Sequence, residues 1–337
     1  MRSDWVLMGL GLMAVLAMAG LGWLWTPDLE RVNLETRYAQ APSQFLEVAG
    51  VRLHLRSSGP TAQPTLNGAS EPIVAASTVQ QTTPGKTPPA VVLLHGFGAS
   101  LHTWDDWVPV LSEDFRVIRY DLPGAGLTGP DASGDYTDAR GMAVLLALLD
   151  RLGIQKANLV GHSMGGRLAW NFAAAHPERI EKLILVSPDG FASPGFEYGK
   201  PPEIGASIQA MRFILPKPIL RMSLAPAYAD PSVITDQLLT RYHDLMLAPG
   251  VRPALISRLE QSILKDPNPI LATIQAPTLL VWGDQDAMIP FANSADYLRA
   301  LPNARLVKMP GVGHLPHEEA PAESVAAVHG FLRETVR

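Results

Sequence analysis

The chain has 337 residues, of which 47% are hydrophobic, and a formal net charge of −5. This length allows one large domain or a core with an inserted domain, and the composition suffices to bury a sizeable core. A negatively charged chain without a long basic run is not expected to bind nucleic acid. The absence of cysteine excludes disulfides, thiolate metal sites and thiol catalysis.

Residues 5–25 form an uninterrupted apolar stretch with no charged residue and with tryptophans at both ends. As a helix, this stretch would extend roughly 30 Å, the thickness of one hydrocarbon core, and indole rings prefer the headgroup region. The alternative is a signal peptide, because Ala17–Ala19 has the small-residue pattern of a cleavage site. We predict a single-pass membrane anchor, or an uncleaved signal, over residues 1–25. The predicted location is membrane-anchored with the remaining chain on the extracytoplasmic side, or secreted after signal cleavage.

The next part of the chain has three segments of different character. Residues 26–44 are short and polar and are predicted as a juxtamembrane segment. Phe45–Val48 and Val51–Leu55 have strand character, and the Ala-Gly pair between them has the length of a tight hairpin turn. Residues 57–89 are rich in Pro, Thr, Ser and Gln and have few large apolar residues. We predict that they form a flexible surface insertion.

From Ala90 onward, short apolar runs alternate with helical patterns. Strand–helix–strand repetition on this scale predicts an α/β fold with a parallel sheet and crossover helices. In residues 191–268 helical patterns separated by prolines dominate, and the strand rhythm resumes afterwards. We therefore predict one core in two parts, residues 45–190 and 269–337, with an inserted helical cap at residues 191–268.

The segment Gly161–Gly166 (GHSMGG) follows a predicted strand and begins a predicted helix. In this context Gly-x-Ser-x-Gly is the nucleophile-elbow motif, in which small neighbours allow a tight turn that presents the serine hydroxyl at the carboxyl edge of a sheet. The N-terminus of the following helix favours developing negative charge there. We predict that Ser163 is a catalytic nucleophile, with a structural turn serine as the alternative.

A serine hydroxyl needs a base to become a good nucleophile. Gly311–His314 follows a late predicted strand, and its glycines could present the imidazole of His314 at the sheet edge. His317 is the alternative, but Pro316 and the two glutamates after His317 are typical of the start of the last helix. We predict His314 as the base.

A third group must hold the imidazole tautomer and stabilise the imidazolium. Asp286 lies just beyond a glycine turn at the end of a predicted strand, where its carboxylate could reach the histidine. Asp284 could instead brace that turn, and Asp189, after a different strand, is the main alternative. We predict Asp286 because of its position, and the order Ser163, Asp286, His314 is the one that accompanies this nucleophile motif.

A tetrahedral intermediate also needs backbone N–H donors. The predicted donors are Met164, directly after the nucleophile, and Phe97, in the loop His95–Gly98 that follows a predicted strand. The side chains of both donors are expected to line the pocket. His95 is expected to hold the loop rather than to act as a base.

These motifs resemble those of the α/β-hydrolase superfamily, in its lipase/esterase-like, monoacylglycerol-lipase-like branch with a helical cap. The resemblance runs from about residue 45 to residue 337 and rests on His95–Gly98, Asp121–Gly124, Gly161–Gly166, Gly283–Asp286 and Gly313–His314. It implies an eight-stranded, mostly parallel sheet whose first hairpin is antiparallel, and the catalytic roles assigned above. The insertion and the N-terminal apolar stretch depart from the family pattern.

The expected activity is that of a serine hydrolase that cleaves carboxylic esters, with lipid-like or medium-chain acyl groups, through an acyl-enzyme on Ser163. Met211, Phe213 and Leu215 are expected to line an apolar acyl pocket in the cap, although ordinary packing of the cap would also explain them. Two alternatives remain open: a carbon–carbon bond hydrolase or cofactor-free perhydrolase with the same triad, and a non-catalytic binding protein of the same fold. The expected partners are a small-molecule ester or lipid and, through the N-terminal helix, a membrane. The reaction needs no metal or organic cofactor, and the oligomeric state stays open.

Overall fold

A computed structural model describes residues 24–60, 88–192 and 197–335. Its strands are β1 (Ser43–Val48), β2 (Val51–Ser58), β3 (Ala90–Leu94), β4 (Arg116–Tyr120), β5 (Ala157–His162), β6 (Ile180–Val186), β7 (Thr278–Gly283) and β8 (Ala304–Met309). They form one eight-stranded sheet in the order β1-β2-β4-β3-β5-β6-β7-β8. The pairs β1–β2 and β2–β4 are antiparallel and the others are parallel. The predicted eight-stranded, mostly parallel sheet is therefore confirmed.

Helices connect the strands and cover both faces of the sheet. In chain order the described helices are α1 (Arg31–Tyr38), α2 (Val108–Leu111), α3 (Asp138–Arg151), α4 (Met164–Ala175), α5 (Ala206–Ala210), α6 (Lys217–Leu224), α7 (Asp236–Met246), α8 (Val251–Gln261), α9 (Asn268–Leu271), α10 (Asn293–Ala300), α11 (Pro316–Glu319) and α12 (Pro321–Arg333). The sequence of helix α3 shows why this segment is helical. Thr137 caps its N-terminus by accepting from the backbone N–H of Arg140, and apolar residues at helical spacing are buried on one side.

The central strands are buried on both faces, which explains their continuous apolar sequences. All five residues of β3 are buried, and alternate side chains point to opposite faces. Val92 and Leu94 belong to a cluster with residues of α3 and α4, whereas Val91 and Leu93 belong to a second cluster with residues of α12. The sheet is thus a packed platform, and the loops at the carboxyl ends of its strands carry the candidate site.

The β1–β2 hairpin follows from its turn sequence. Ala49 and Gly50 have φ values of 50° and 78°, and a two-residue turn that matches the twist of its strands requires such positive values. Strand β2 continues past its predicted end because Ser57–Ser58 pairs with β4. The first residues of the predicted 57–89 insertion are therefore strand, and residues 61–87 lie outside the described residues.

The predicted membrane-anchored location is wrong for the part of the chain that the structure describes. Within those ranges, no helix is both long and apolar enough to cross a bilayer. Residues 1–23 of the predicted anchor lie outside the described residues. Trp25, which the prediction placed in a headgroup region, stacks instead on Phe213 with ring centroids 5.6 Å apart.

The predicted juxtamembrane segment, residues 26–44, contains helix α1. Its sequence has little apolar periodicity, and within α1 the buried residue is Leu34. Polar contacts with a distant helix hold it instead, because Asp244 of α7 accepts hydrogen bonds from Arg37 and Tyr38. Short helices are marginal on their own and depend on such tertiary contacts. Local patterns therefore could not predict this helix.

Helices α5–α9, which we call the helical insertion, lie between β6 and β7, at the position of the predicted cap. Buried leucines of α6, α7 and α8 form a cluster that also includes Leu34 of α1 and Leu127 of the loop after β4. The insertion therefore packs on both α1 and the core. Together with the sheet edge that carries Ser163, it encloses a cavity.

Candidate active site

The turn between β5 and α4 places Ser163 at the carboxyl edge of the sheet. Ser163 has φ 52° and ψ −120°, and a residue held in such a sparsely populated region stores strain of order 1–3 kcal/mol, typically at a functional site. Glycines permit the turn: a Cβ on Gly161 would overlap the backbone of Gly165, and a Cβ on Gly166 would lie 2.8 Å from the Cβ of Pro188. The structure thus places Ser163 in the strained strand-to-helix turn that its motif predicts.

Replacing Gly165 with Ala is expected to destabilise the protein, although alanine is the better helix former. The added Cβ would lie 2.5 Å from the backbone oxygens of Leu94 and His95, and overpacking of this kind costs about 1–3 kcal/mol. Gly330→Ala is the matched control, because no neighbouring atom lies within 4 Å of its added Cβ. That change is expected to raise the free energy of unfolding by about 0.5–1 kcal/mol. Urea titrations measure both effects, and stabilisation by both substitutions would contradict the steric argument.

The loops after β7 and β8 bring Asp286 and His314 together. Since a carboxylate only accepts, Nδ1–H of His314 donates to Oδ2 of Asp286, over 2.8 Å, and both side chains are buried. The second carboxylate oxygen, Oδ1, accepts from the backbone N–H groups of Met288 at 2.9 Å and Ile289 at 2.8 Å. These bonds fix the carboxylate and engage Nδ1 of His314, so Nε2 is the ring atom that can face the nucleophile, as a general base requires.

The two other aspartates considered as the acid have different partners. Asp189 accepts a hydrogen bond from Arg167 at 2.9 Å. Asp284 accepts from the backbone N–H of Gly311 at 2.8 Å and so braces the turn between the two strand ends. His314 is bonded to neither of them and is bonded to Asp286.

His317, the alternative base, is enclosed by the core. Its side chain is fully buried and stacks on Trp104 with ring centroids 4.4 Å apart. Thr103 donates its hydroxyl proton to Glu318 and accordingly accepts from Nε2–H of His317, over 2.9 Å. Burial lowers the pKa of His317 to about 3. The ring is therefore neutral near pH 7 and supports the structure around His314.

The free energy of unfolding is expected to fall as the pH drops below about 6.5, the pKa of an unfolded histidine. Folded His317 has a pKa of about 3, so between these two values the unfolded state binds the additional proton. This residue alone gives a slope of up to about 1.4 kcal/mol per pH unit. Burial also lowers the pKa of His162, which acts in the same direction.

Urea midpoints at about pH 7.5 and about pH 5 measure this dependence. His317→Gln keeps a donor for Thr103 and is expected to show a shallower dependence on pH. His176→Gln, at a partly exposed position, is the matched control and should keep the dependence of the unsubstituted chain. An unchanged slope in His317→Gln would show that His317 is not the titrating group.

The predicted oxyanion donors lie on the loop after β3 and on the first turn of α4. In the described turns and loops, no backbone hydrogen bond is donated by Phe97 or Met164, so both N–H groups are available to an oxyanion. The loop is fixed by His95, whose Nδ1–H donates to the backbone oxygen of Gly96 at 2.8 Å. Its Nε2 accepts from the backbone N–H of Leu122 at 2.9 Å. The structure thus gives His95 the supporting position expected for it.

His162 supports the base as well as the elbow. Its Nε2–H donates to the backbone oxygen of His314 at 2.9 Å, and the two rings lie 4.7 Å apart. A Cβ on Gly96 would lie 2.6 Å from Nδ1 of His162, so glycine allows the loop after β3 to approach the ring. His162 therefore connects the loop of Phe97 to the loop of His314. In the sequence, the position of His162 directly before Ser163 is the only feature that points to this supporting role.

A buried carboxylate that the sequence motifs do not reveal joins the helical insertion to the loop of the base. Glu318 accepts hydrogen bonds from Thr103, Arg241, Tyr228 and Tyr242. Burial opposes ionisation of this carboxyl, but the adjacent Arg241 holds its pKa below the usual range. The backbone N–H of His314 also donates to the backbone oxygen of Ala227, at 2.8 Å. The insertion thus helps to fix the loop of His314.

One cavity of about 270 Å³ lies between the sheet edge and the helical insertion, and both Ser163 and His314 form part of its wall. The rest of the wall is mainly apolar and includes Met211, Leu215, Leu220, Leu224, Met246 and Met288. Among the described lining residues there is no lysine or arginine. The cavity therefore suits an uncharged, apolar group.

Two of the three predicted pocket residues, Met211 and Leu215, line this cavity, but Phe213 does not. Helix α5 ends at Ala210, so Phe213 lies in the turn that follows. Its side chain is 52% exposed and stacks on Trp25. The prediction for Phe213 is wrong because the turn after α5 directs this side chain to the surface, against Trp25, and not into the cavity.

Ser163 and His314 share this cavity without a hydrogen bond between their side chains in the described structure. Catalytic hydrogen bonds are often long until substrate binds and tighten in the complex. No group of three histidine, aspartate or glutamate side chains within residues 24–60, 88–192 and 197–335 is placed to hold a metal ion. The polar side chains that this site places beside the cavity include the hydroxyl of Ser163 and the imidazole of His314.

Comparison with known proteins places this site in a family. Residues 89–321 match the family described as the alpha/beta hydrolase fold. The chain belongs to this family, and the predicted superfamily is confirmed.

The α/β-hydrolase chain has relatives of different named activities. It is 33% identical over 256 residues to the dihydrolipoyllysine-residue acetyltransferase component of the acetoin cleaving system of Pseudomonas putida. The aligned region covers 74% of this chain and 64% of that protein. It is 31% identical over 233 residues to the 2-hydroxy-6-oxo-6-phenylhexa-2,4-dienoate hydrolase of Burkholderia cepacia. Here the aligned region covers 67% of this chain and 81% of that protein. The chain thus spans 64% of the length of the first relative.

A solved structure extends the comparison to the fold as a whole. The enol-lactonase of Burkholderia xenovorans LB400 superimposes with a TM-score of 0.68 at 25% sequence identity. The match covers 86% of this chain and 100% of the enol-lactonase. One fold therefore carries several named activities among these relatives, and the reaction has to be argued from the site.

Proposed function

We propose that this protein is a serine hydrolase that cleaves carboxylic esters with medium-length, lipid-like acyl chains through an acyl-enzyme on Ser163. The observation that carries the proposal is the common cavity of Ser163 and His314, with His314 bonded at 2.8 Å to the buried Asp286. A nucleophile, a base and an orienting acid from three different loops meet at one sheet edge. This constellation is recognised by its geometry and roles.

In the proposed reaction, Nε2 of His314 takes the proton of Ser163 Oγ as Oγ forms a bond to the ester carbonyl carbon. The backbone N–H groups of Phe97 and Met164 stabilise the oxyanion, and the N-terminus of α4 adds to the favourable field. The C–O bond to the alcohol then breaks, and the alcohol leaves with the proton from His314. Water, deprotonated by His314, hydrolyses the acyl-enzyme and regenerates Ser163. Asp286 stabilises the imidazolium in both halves of the reaction.

The cavity supports an apolar acyl group. Its wall is formed largely by methionine and leucine side chains, and flexible methionines adapt to flexible chains. Its volume, about 270 Å³, lies near the lower end of typical ligand sites, which span about 300–1,000 Å³. A medium-length chain therefore fits this cavity better than a long one that has to remain fully enclosed.

Carbon–carbon bond hydrolysis is the second candidate, and one observation favours it. The 31% identical relative from Burkholderia cepacia is named as a hydrolase of a dienoate. A dienoate carries a carboxylate, whose burial requires a cationic or hydrogen-bonding partner. The described lining residues contain no lysine or arginine, and of the hydroxyls besides Ser163, those of Ser223 and Tyr242, the second already donates to Glu318. We therefore place ester hydrolysis first.

The test is turnover of p-nitrophenyl esters by the full chain, over acyl lengths from acetate to palmitate. The expected result is a maximum of kcat/KM at an intermediate chain length, with labelling of Ser163 by a fluorophosphonate, whose fluoride the serine oxygen displaces. Turnover of 2-hydroxy-6-oxo-6-phenylhexa-2,4-dienoate without turnover of any ester would select the second candidate. Absence of labelling in folded protein would leave a non-catalytic binding protein of this fold.

A further inference from the structure

Residues 25–29, which we call the N-terminal strap, precede the first strand and lie outside the residues that match the family. The strap runs along the helical insertion. The backbone N–H of Leu29 donates to the backbone oxygen of Leu247 at 2.8 Å, and Trp25 stacks on Phe213. The proposed reaction uses none of these contacts. Since the strap makes them with the helical insertion, we expect their effect to fall there.

Thr26 of the strap binds the segment 211–215, which connects α5 to α6. Its backbone N–H donates to the backbone oxygen of Phe213 at 2.9 Å. Its Oγ1 accepts from the backbone N–H of Leu215 at 3.1 Å and donates to the backbone oxygen of Leu24 at 3.1 Å. Leu215 is 3% exposed, so loss of Oγ1 would leave a buried N–H without its partner, which is costly.

Asp28 reaches the other end of the segment 211–215 through Arg252. The carboxylate of Asp28 accepts from Arg252 at 2.7 Å and from the backbone N–H of Gly250 at 3.2 Å. Arg252 also donates to the backbone oxygen of Met211, at 3.4 Å. The arginine is 3% exposed, so Asp28 supplies the negative charge that a buried guanidinium needs. The strap therefore holds this segment at both ends.

The two ends of the segment are the residues that line the cavity, Met211 and Leu215. We propose that Thr26 and Asp28 are positioning residues that set the acyl-chain preference of the site by holding Met211 and Leu215 in the cavity wall. The proposal rests on the proposed ester hydrolysis. Neither strap residue lines the cavity with Ser163, so their effect falls on binding of chains long enough to reach the wall. An acetyl group is too short to depend on it.

The experiment compares Thr26→Val and Asp28→Asn, in the strap, with the same exchanges in helix α7 of the insertion. The matched controls are Thr240→Val and Asp236→Asn, on the exposed side of α7, where Asp236 forms an ion pair with Arg221 at 3.0 Å and is 99% exposed. We measure kcat and KM for p-nitrophenyl esters of increasing acyl length. The strap variants are expected to raise KM for the preferred chain by up to about tenfold, with acetate kinetics unchanged. The free energy of one buried hydrogen bond sets this limit on how far a displaced wall weakens binding.

Thr26→Ser retains Oγ1 and is expected to keep the chain-length profile of the unsubstituted chain, as are both controls. This serine variant also separates the hydrogen bond from the methyl packing of Thr26. A uniform fall of activity at all chain lengths in both strap variants, or an unchanged profile in both, would overturn the proposal. Since Thr26→Val and Asp28→Asn break different contacts, misfolding of one leaves the other as the test.

Labelling of Ser163 by alkyl fluorophosphonates of increasing chain length separates this proposal from the proposed function. Such labelling needs an activated serine and a pocket but no ester turnover. Chain-dependent labelling that shifts in the strap variants supports the positioning role, even where no ester is hydrolysed and the ester proposal fails. Labelling whose chain dependence is the same in all variants overturns the positioning role alone. Absence of labelling in the unsubstituted chain overturns both proposals.

Discussion

Ser163→Ala is expected to lower kcat for ester hydrolysis by about 10⁴–10⁶-fold, because the proposed acyl-enzyme cannot form without Oγ. Alanine keeps a Cβ and faces the same backbone strain as serine, at φ 52°, so the fold should change little. The residual rate would come from binding and from the oxyanion donors. Steady-state kinetics measure the loss, and mass spectrometry after a fluorophosphonate shows whether the adduct disappears.

Ser187→Ala is the matched control for this prediction. Ser187 follows β6 as Ser163 follows the neighbouring β5, and it also has a positive φ, 41°. Its buried Oγ has no hydrogen-bond partner among the described residues, so its removal leaves no group unpaired. We expect kinetics and urea midpoint close to those of the unsubstituted chain. Loss of the adduct in Ser187→Ala with its retention in Ser163→Ala would assign the nucleophile to Ser187.

The nucleophile turn could be predicted from sequence because its constraints are local. Gly161 and Gly165 lie two residues on either side of Ser163, and the close backbone approaches at both glycines leave no space for a side chain. The strand before the turn and the helix after it each have a clear apolar pattern. When spacing, turn chemistry and flanking elements agree in this way, a short segment specifies its own geometry.

The pocket wall could be predicted only in part, because the direction of a side chain depends on where its helix ends. Met211 and Leu215 line the cavity, whereas Phe213 between them does not. Helix α5 is only five residues long and ends at Ala210. No local signal placed that end. The segment after it is held by turn hydrogen bonds to α5, such as the one from Ile214 N–H to the backbone oxygen of Ala210 at 2.9 Å, and also by the distant Thr26.

The polar supports of the site could not be predicted, because their partners are far apart in sequence. Glu318 accepts from four residues in three other segments, among them Thr103 and Tyr228. Asp244 likewise holds α1 through Arg37 and Tyr38. The sequence around a single polar residue does not indicate which distant group that residue will contact. These contacts join the insertion, the N-terminal residues and the loop of the base, and they become visible only in the folded chain.

Asp286→Asn is expected to lower kcat/KM by about 10³–10⁴-fold with little change in the fold. The reason is that the two carboxylate oxygens of Asp286 have different partners. One oxygen accepts from the N–H groups of Met288 and Ile289 at 2.9 Å and 2.8 Å, so the amide oxygen of asparagine has to remain on that side. Its NH₂ group then faces Nδ1 of His314. This donor selects the tautomer that carries its proton on Nε2, which cannot accept the proton of Ser163.

Asp189→Asn, at the rival aspartate, distinguishes this account from a general effect of removing a negative charge near the site. Asp189 is bonded to Arg167, not to His314, so its substitution is expected to change kcat/KM no more than a few-fold. Circular dichroism and urea midpoints show whether each variant is folded, and pre-steady-state kinetics show whether acylation is the step that slows. A large loss in Asp189→Asn with near-normal acylation in Asp286→Asn would transfer the orienting role to Asp189. The 2.8 Å bond between Asp286 and His314 is the physical reason to expect the opposite result.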